Sequence, residues 1–257
     1  MRSFCIKGVR IGEGRPKTIV PLMDATCEGL LASARQAVEA GADCVEWRAD
    51  FFEDSHDGAA LGRVARVLGD ALPRTPLIAT LRTTGQGGRL EANADEYASL
   101  VRALLQGTDL VDVELGAGEQ MVRSLAEEAR SHGVRTVVSH HEFEVAPSVT
   151  RMEQTLLAEA ELGADIPKLA VMAHGAADAA RLMEASANAA DTFGGPLLTM
   201  AMGPAGAITR LAGESFGSAL TFCALGAASA PGQVELAQAT AALDALHAAL
   251  ADGGCSE

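Results

Sequence analysis

The sequence predicts an eight-stranded (β/α) barrel, the TIM-barrel class of α/β fold, on three observations. Eight short apolar runs recur between residues 18 and 225. Most are separated by alanine-rich, charged segments of helical period, such as "EGLLASARQAVEA" and "GEQMVRSLAEEARSHG". The length, 257 residues with 48% hydrophobic content, suits one such barrel around one large core.

Taken in order, "CIKGVRIGEGRPK" predicts a hairpin within residues 1–17 that closes the barrel bottom. "TIVPLM" (18–23) is the first strand and "CVEWRAD" (44–50) the second, where Glu46, Arg48 and Asp50 alternate with Trp47 and Ala49 and so share a face. "PLIATLR" (76–82) ends in Arg82, and "LVDVEL" (110–115) is a fourth apolar run. "RTVVSHH" (135–141) ends in His140 and His141, and Glu142 follows. "IPKLAVM" (166–172) carries Lys168, and "PLLTMAM" (196–202) sets Met200 and Met202 at period two. "GPAGAITR" then supplies Arg210. After the eighth run, "LTFCAL" (220–225), "AASAPGQ" forms a turn with Ser229 and Gln233 ahead of the last helix. The glycines of "EAGAD" and "SHGVR" fall between helix and strand, where a left-handed cap is wanted. Parallel strands at this spacing require right-handed helical crossovers. The rival fold, a doubly wound open sheet, would carry a glycine-rich phosphate loop after its first strand, and "MDATCEG" is not one. No linker interrupts 18–250, so residues 1–257 read as a single catalytic domain with a disordered tail at 251–257.

The formal charge of −14 argues against nucleic acid, whose phosphates need a basic surface. Five cysteines (Cys5, Cys27, Cys44, Cys223, Cys255) are odd in number and lack a CxxC pair, which points to a reducing cytoplasm and away from disulfides or a zinc knuckle. "MRSFCIKGVR" has no apolar signal region, and no run approaches membrane-spanning length. A cytoplasmic enzyme or binding protein for a small ligand remains.

Only three of the 20 basic residues are lysines, and one of them, Lys168, lies inside an apolar strand. A lysine amine can lose its proton and act as a nucleophile, which arginine cannot. A lone strand lysine often marks a sheet edge, but barrel strands have no exposed edge. Bland readings stand beside the others. Glu46 and Arg48 fit an ordinary buried ion pair, and Met200 and Met202 fit core filler. Of His140 and His141 at most one faces inward. "GQGGRL" fails the phosphate-loop spacings and reads as a mobile loop. His141 has no second ligand at zinc spacing, so no metal is expected. The stronger observation is that six barrel ends each contribute a polar residue.

These motifs resemble those of the type I 3-dehydroquinate dehydratase family, the Schiff-base class of this dehydratase. "CVEWRAD", "SHHEF", "ADIPKLAVM" and "TMAMGPAGAITRLAGESFGSALTF" followed by "SAPGQ" are similar to the family's signatures, in the expected order and over nearly the whole chain. The resemblance implies that Lys168 forms an imine with 3-dehydroquinate and that His141 shuttles protons. It implies substrate contacts from Glu46, Arg48, Arg82, Arg210, Ser229 and Gln233; Met200 and Met202 stand beside these as supporting candidates from the strand pattern alone. It further implies a homodimer, no cofactor, and a place in the shikimate pathway to aromatic amino acids. Two positions depart from the pattern. The family usually has an acidic residue where Gln86 stands, supporting the histidine, and an aspartate where Glu142 follows His141.

The chemistry explains the residue types. An iminium withdraws electrons better than a ketone and acidifies the neighbouring C–H. A free lysine is almost wholly protonated at neutral pH, so an apolar interior with arginines nearby is expected to disfavour the ammonium. One imidazole can take the C–H proton and return it to the leaving hydroxyl. Arg210 offers paired donors to a carboxylate, and the N-terminus of the helix after "SAPGQ" is expected to add backbone donors. A class I aldolase would use the same lysine and barrel but want a phosphate site, and "SAPGQ" has no lysine. A paralogue that binds ligand without turning it over has only Gln86 in its favour.

Overall fold

Strand and helix alternate along the computed structural model, which describes residues 2–226 and 232–252. Strands β1 (Phe4–Ile6) and β2 (Val9–Ile11) form an antiparallel hairpin, and β3 (Lys17–Leu22) opens the barrel. There follow α1 (Cys27–Glu39), β4 (Cys44–Arg48), α2 (Gly58–Ala71), β5 (Leu77–Thr80), α3 (Ala94–Leu104) and β6 (Leu110–Glu114). Next come α4 (Glu119–Ser131), β7 (Arg135–Glu142), α5 (Val149–Glu161), β8 (Ile166–Met172), α6 (Ala176–Phe193) and β9 (Leu198–Met202). The series ends with α7 (Ala207–Leu211), β10 (Leu220–Ala224), β11 (Val234–Glu235) and α8 (Leu236–Asp252). Each of the eight predicted strands is present, and β3 to β10 are parallel neighbours in a curled sheet, the barrel class the sequence predicts.

The last seam differs from the others. Among the described residues β9 and β10 meet at one parallel bridge, Leu197 with Ser218, where the Ala219 N–H donates to Leu197 O at 2.8 Å. There the Ser218 hydroxyl accepts from the Thr199 N–H at 3.0 Å in place of a backbone carbonyl.

Local sequence sets the element boundaries. Thr26, Asp57 and Ser148 cap α1, α2 and α5 by accepting first-turn N–H groups. Gly41 and Gly133 follow α1 and α4 with φ of +87° and +75°, the left-handed caps expected of "EAGAD" and "SHGVR". Three aspartates preceding β4, β6 and β8 each serve the strand before. Asp43 accepts from the Thr18 N–H at 2.8 Å, Asp109 from Leu77 at 2.8 Å and Asp165 from Thr136 at 2.9 Å.

Ile11 of the hairpin is fully buried against Ile19, Cys44, Ile78, Leu110, Val137, Ile166, Leu198 and Leu220, which point inward near the strand starts and make an apolar floor. Trp47, Leu61, Leu68, Val111 and Val113 belong to the separate layer between sheet and helices. Three boundaries differ from expectation. The hairpin ends at Ile11 and Lys17 already belongs to β3. Helix α8 continues through Asp252, past the expected start of the tail, while 253–257 lie outside the described residues. The two-residue β11, which pairs with β10, had no signal in the apolar pattern. Among the described residues no helix is long and apolar enough to cross a membrane.

Candidate active site

Inward parity carries the strands from floor to site. Two residues beyond Cys44, Ile78, Leu110, Val137, Ile166, Leu198 and Leu220 stand Glu46, Thr80, Asp112, Ser139, Lys168, Met200 and Phe222. A cleft of about 460 Å³ opens above them, lined on one side by Glu46, Arg48, Arg82, His141 and Lys168. Its other side is Ala170, Met200, Met202 and Phe222, with Arg210 and Gln233 completing the lining.

Lys168 is 3% exposed, so the strand does bury an amine. Its surroundings, however, are acidic rather than merely apolar. Nζ donates to Asp112 Oδ2 at 2.8 Å, lies 3.9 Å from Glu46 Oε1, and sits 5.0 Å from the Phe222 ring centre. Asp112 is shared, because Arg82 Nη2 lies 2.8 Å from the same oxygen and the Ser139 hydroxyl donates to Oδ1 at 2.6 Å. Burial alone would raise the Asp112 carboxyl, but Arg82 and Lys168 overcome it and hold the group well below the usual carboxylate range. Arg82 also donates to Glu114 and to Ser139, at 3.0 and 2.9 Å. It is thus tied into the barrel wall while lining the cleft. Behind the strand, fully buried Glu159 of α5 accepts the Lys168 N–H at 2.9 Å, and burial pushes its carboxyl well above the ordinary value.

Of the two histidines, His141 faces the cleft, while His140 Nε2 meets Glu142 Oε1 at 3.0 Å. The glutamate that departs from the family pattern therefore serves the other ring. Gln86 Oε1 accepts the His141 backbone N–H at 2.9 Å and lies 3.2 Å from Nδ1. A backbone N–H only donates, so this oxygen is an acceptor, and Nδ1 must carry the ring proton when the imidazole is neutral. Nε2 is left with its lone pair, as a base requires. Burial, followed by the positive charges of Arg82 and Lys168, holds His141 well below the usual histidine value.

At the rim, Arg48 grips Asp50 with two bonds, Nε to Oδ1 and Nη2 to Oδ2, both at 2.8 Å. The Glu46–Arg48 ion pair, the bland alternative for these two residues, is not formed among the described residues. The chain turns into a 3-10 helix at Ala49–Phe51, which folds Asp50 back over Arg48, and Glu46 instead accepts from the Thr80 hydroxyl at 2.8 Å. Arg210, on α7, is 2% exposed, and burial lowers its pKa to about 10. Ser229 lies outside the described residues. The expected anion site at the N-terminus of α8 is filled from within the chain. The helix starts at Leu236, and the Glu235 carboxylate already accepts from Ala237 N and Gln238 N, at 2.9 and 3.4 Å. Among the described residues no three His, Cys, Asp or Glu side chains converge to hold a metal ion.

This geometry can be set beside known proteins. A sequence profile described as type I 3-dehydroquinase matches residues 18–249. The chain belongs to the type I 3-dehydroquinase family. It is 41% identical over 249 residues to a 3-dehydroquinate dehydratase of Bacillus licheniformis, covering 94% of this chain and 96% of that one. Among solved structures it is similar to the type I 3-dehydroquinate dehydratase of Clostridium difficile, crystallised with covalently modified comenic acid. The TM-score there is 0.91 at 35% identity, covering 96% and 98% of the two chains. The 3-dehydroquinate dehydratase of Geobacillus kaustophilus gives 0.92 at 32% identity, covering 96% and 97%.

Within this type I 3-dehydroquinase, Asp112, Glu114, Ser139, Thr80 and Glu159 serve the site without having stood out in the sequence. "LVDVEL" held the signal for two of them, since its acids recur at period two as Glu46 and Arg48 do. Glu159 sits on a helix whose inward face no strand alternation reveals.

Proposed function

We propose that this protein is a hydro-lyase that converts 3-dehydroquinate to 3-dehydroshikimate and water through a Schiff base on Lys168. The carrying observation is one buried amine, Lys168 Nζ, held 2.8 Å from a carboxylate in a cleft that His141 also lines. The covalently modified ligand in the Clostridium difficile relative supports the same reading.

Neutral His141 accepts a proton by way of Nε2, and the freed amine adds to the ketone. The imidazolium returns that proton to the carbinolamine hydroxyl, and loss of water gives an iminium, whose charge takes the place of the ammonium beside Asp112. That carboxylate stays ionised throughout, because Arg82 holds it so. The iminium withdraws electrons from the adjacent carbon, and His141 Nε2 removes its proton. The electron pair forms the new double bond as the β-hydroxyl leaves, protonated by the same imidazole. Water then hydrolyses the iminium and returns the lysine, so the net change is one water lost from the substrate. Arg210 receives the substrate carboxylate, and desolvation makes its buried guanidinium a strong partner for an anion. Glu46, Arg48, Arg82 and Gln233 face the ring hydroxyls, and the methionines and Phe222 cover the ring's apolar side. Ser229 joins the carboxylate end on the resemblance alone. Action in the cytoplasm as a homodimer, without a cofactor, in the shikimate pathway completes the reading.

Borohydride added with 3-dehydroquinate tests it. Reduction of the iminium should inactivate the enzyme and leave a mass adduct on Lys168. An unchanged protein mass, or an adduct on Lys7 or Lys17, would overturn the mechanism.

A further inference from the structure

The loop from Thr83 to Leu90 is rooted on Glu114 through Thr83 and fastened on two further sides. It closes on itself through Leu90 N to Arg82 O (3.1 Å), Thr84 N to Leu90 O (3.0 Å) and Gly88 N to Thr83 O (2.8 Å). Its fit is close: a Cβ at Gly88 would lie 2.1 Å from Arg82 O, and one at Gly87 would lie 2.6 Å from the Phe143 ring. On one side Gln86 holds His141 through its backbone N–H and Nδ1, and Phe143 stacks on the imidazole at 5.9 Å. On the other side the Arg89 N–H donates to Asp50 Oδ2 at 3.1 Å. That carboxylate is also the one gripped by Arg48, and its side chain is fully buried. The Phe51 ring lies beneath both arginines, 3.9 Å from the Arg89 guanidinium carbon and 5.0 Å from that of Arg48.

We propose that Asp50 is a positioning residue, the clasp that fastens this loop to Arg48 and thereby holds Gln86 against His141 from the far side of the cleft. The roles of His141 and Arg48 rest on the function proposed above; the clasp itself is a statement about the free protein. One carboxylate here satisfies three donors from two segments, and a charged acceptor bonds about twice as strongly as a neutral one. Remove the charge, and the outer edge of the loop at Arg89 loses its charged acceptor, while its root stays held by Glu114 through the Thr83 N–H and hydroxyl (2.8 and 2.7 Å) and its other edge by Gln86.

The consequence reaches the imidazole by burial. Its charged and titratable neighbours are Arg82 at the end of β5, Asp112 on β6, Lys168 on β8 and His140 on its own strand. None of these touches Asp50 through a bond described above. Loosening the loop admits water to His141 while those charges stay in place, which relieves the desolvation that holds the ring in its neutral form.

The test uses the substrate-free protein and two variants. Asp50→Asn keeps the shape and removes the charge. Arg89→Ala, at an exposed position, removes the stacking on Phe51 and keeps the backbone N–H that Asp50 accepts. Hydrogen exchange of the amides at 84–89 should quicken about tenfold in Asp50→Asn, with a smaller change in the same direction in Arg89→Ala. The His141 imidazole, followed by NMR, should titrate about one pH unit higher in Asp50→Asn. The acidic limb of kcat should follow it, which a residue that merely steadies Arg48 would not cause. Unchanged loop exchange and unchanged His141 titration in both variants would overturn the clasp, even if KM rises. If the loop and the imidazole respond but the wild type dehydrates nothing, the function is wrong and the clasp stands.

Discussion

Leu110 and Asp112 stand two residues apart on β6, face the same barrel interior and are both buried, yet they do opposite work. Leu110 belongs to the apolar floor with Ile78, Val137 and Ile166, under the hairpin. Asp112 binds Lys168, Arg82 and Ser139 in a layer where polar groups meet one another. A fully buried aliphatic side chain stabilises a fold by roughly 1.5–3 kcal/mol. Buried ion pairs gain little net stability, since desolvation offsets their attraction. What they fix is where each charge lies. The same strands thus carry stability at their starts and reactivity two residues later, and only side-chain parity separates the two.

The largest expected effect is at Lys168. Lys168→Met should lower kcat by about four orders of magnitude or more, the scale for removing a covalent nucleophile, while the floor keeps the barrel folded. Steady-state assay and circular dichroism of the same sample check both halves. Next comes Asp112→Asn, which leaves Arg82 and Lys168 undercompensated and should cost about 3–5 kcal/mol in urea unfolding at pH 7. Because the folded state depresses the Asp112 carboxyl, its contribution is present above the unfolded value of about 3.9 and declines as pH falls toward the folded one. The gap between wild type and variant should therefore narrow below about pH 4, and a constant gap would mean that the charge is not what stabilises.

Leu110→Ala should lose about 2–5 kcal/mol of stability, with kcat and KM at 25 °C unchanged. A fall of about tenfold or more in kcat for Leu110→Ala would erase the distinction between the two layers. The smallest effect is at Gln86. An anion at this position would stabilise imidazolium, so Gln86→Glu should move the acidic limb of kcat upward by about one pH unit. Paired pH–rate profiles decide it, and a limb that stays put would limit Gln86 to orienting the ring.

The sequence made the barrel legible because eight apolar runs at helical separation admit few arrangements. Lys168 and His141 stood out as polar residues in apolar or strand-end positions. The acidic partners did not. Asp112 and Glu114 sit in a run that reads as apolar overall, and their importance comes from strands far apart in sequence meeting around one axis. Alternation places Asp50 on the strand, whereas the backbone leaves the strand at Ala49 and returns the carboxylate to Arg48. Alternation assumes that the strand continues, and nothing local in "WRAD" says where it stops. Gln86 shows in the sequence as a departure from a family pattern, but its double contact with His141 depends on how the loop folds back.

The seam between β9 and β10 has a consequence for how the cleft breathes. Met200 and Met202 lie on one side of it and Phe222 on the other, so the apolar wall straddles a boundary held, among the described residues, by one backbone bridge and the Ser218 hydroxyl. The polar wall rests on continuous ladders from β4 to β8. Local opening follows the boundary with the fewest bonds to break. A bulky ring can therefore be admitted by spreading the methionine side, while the charges that must act on it keep their spacing.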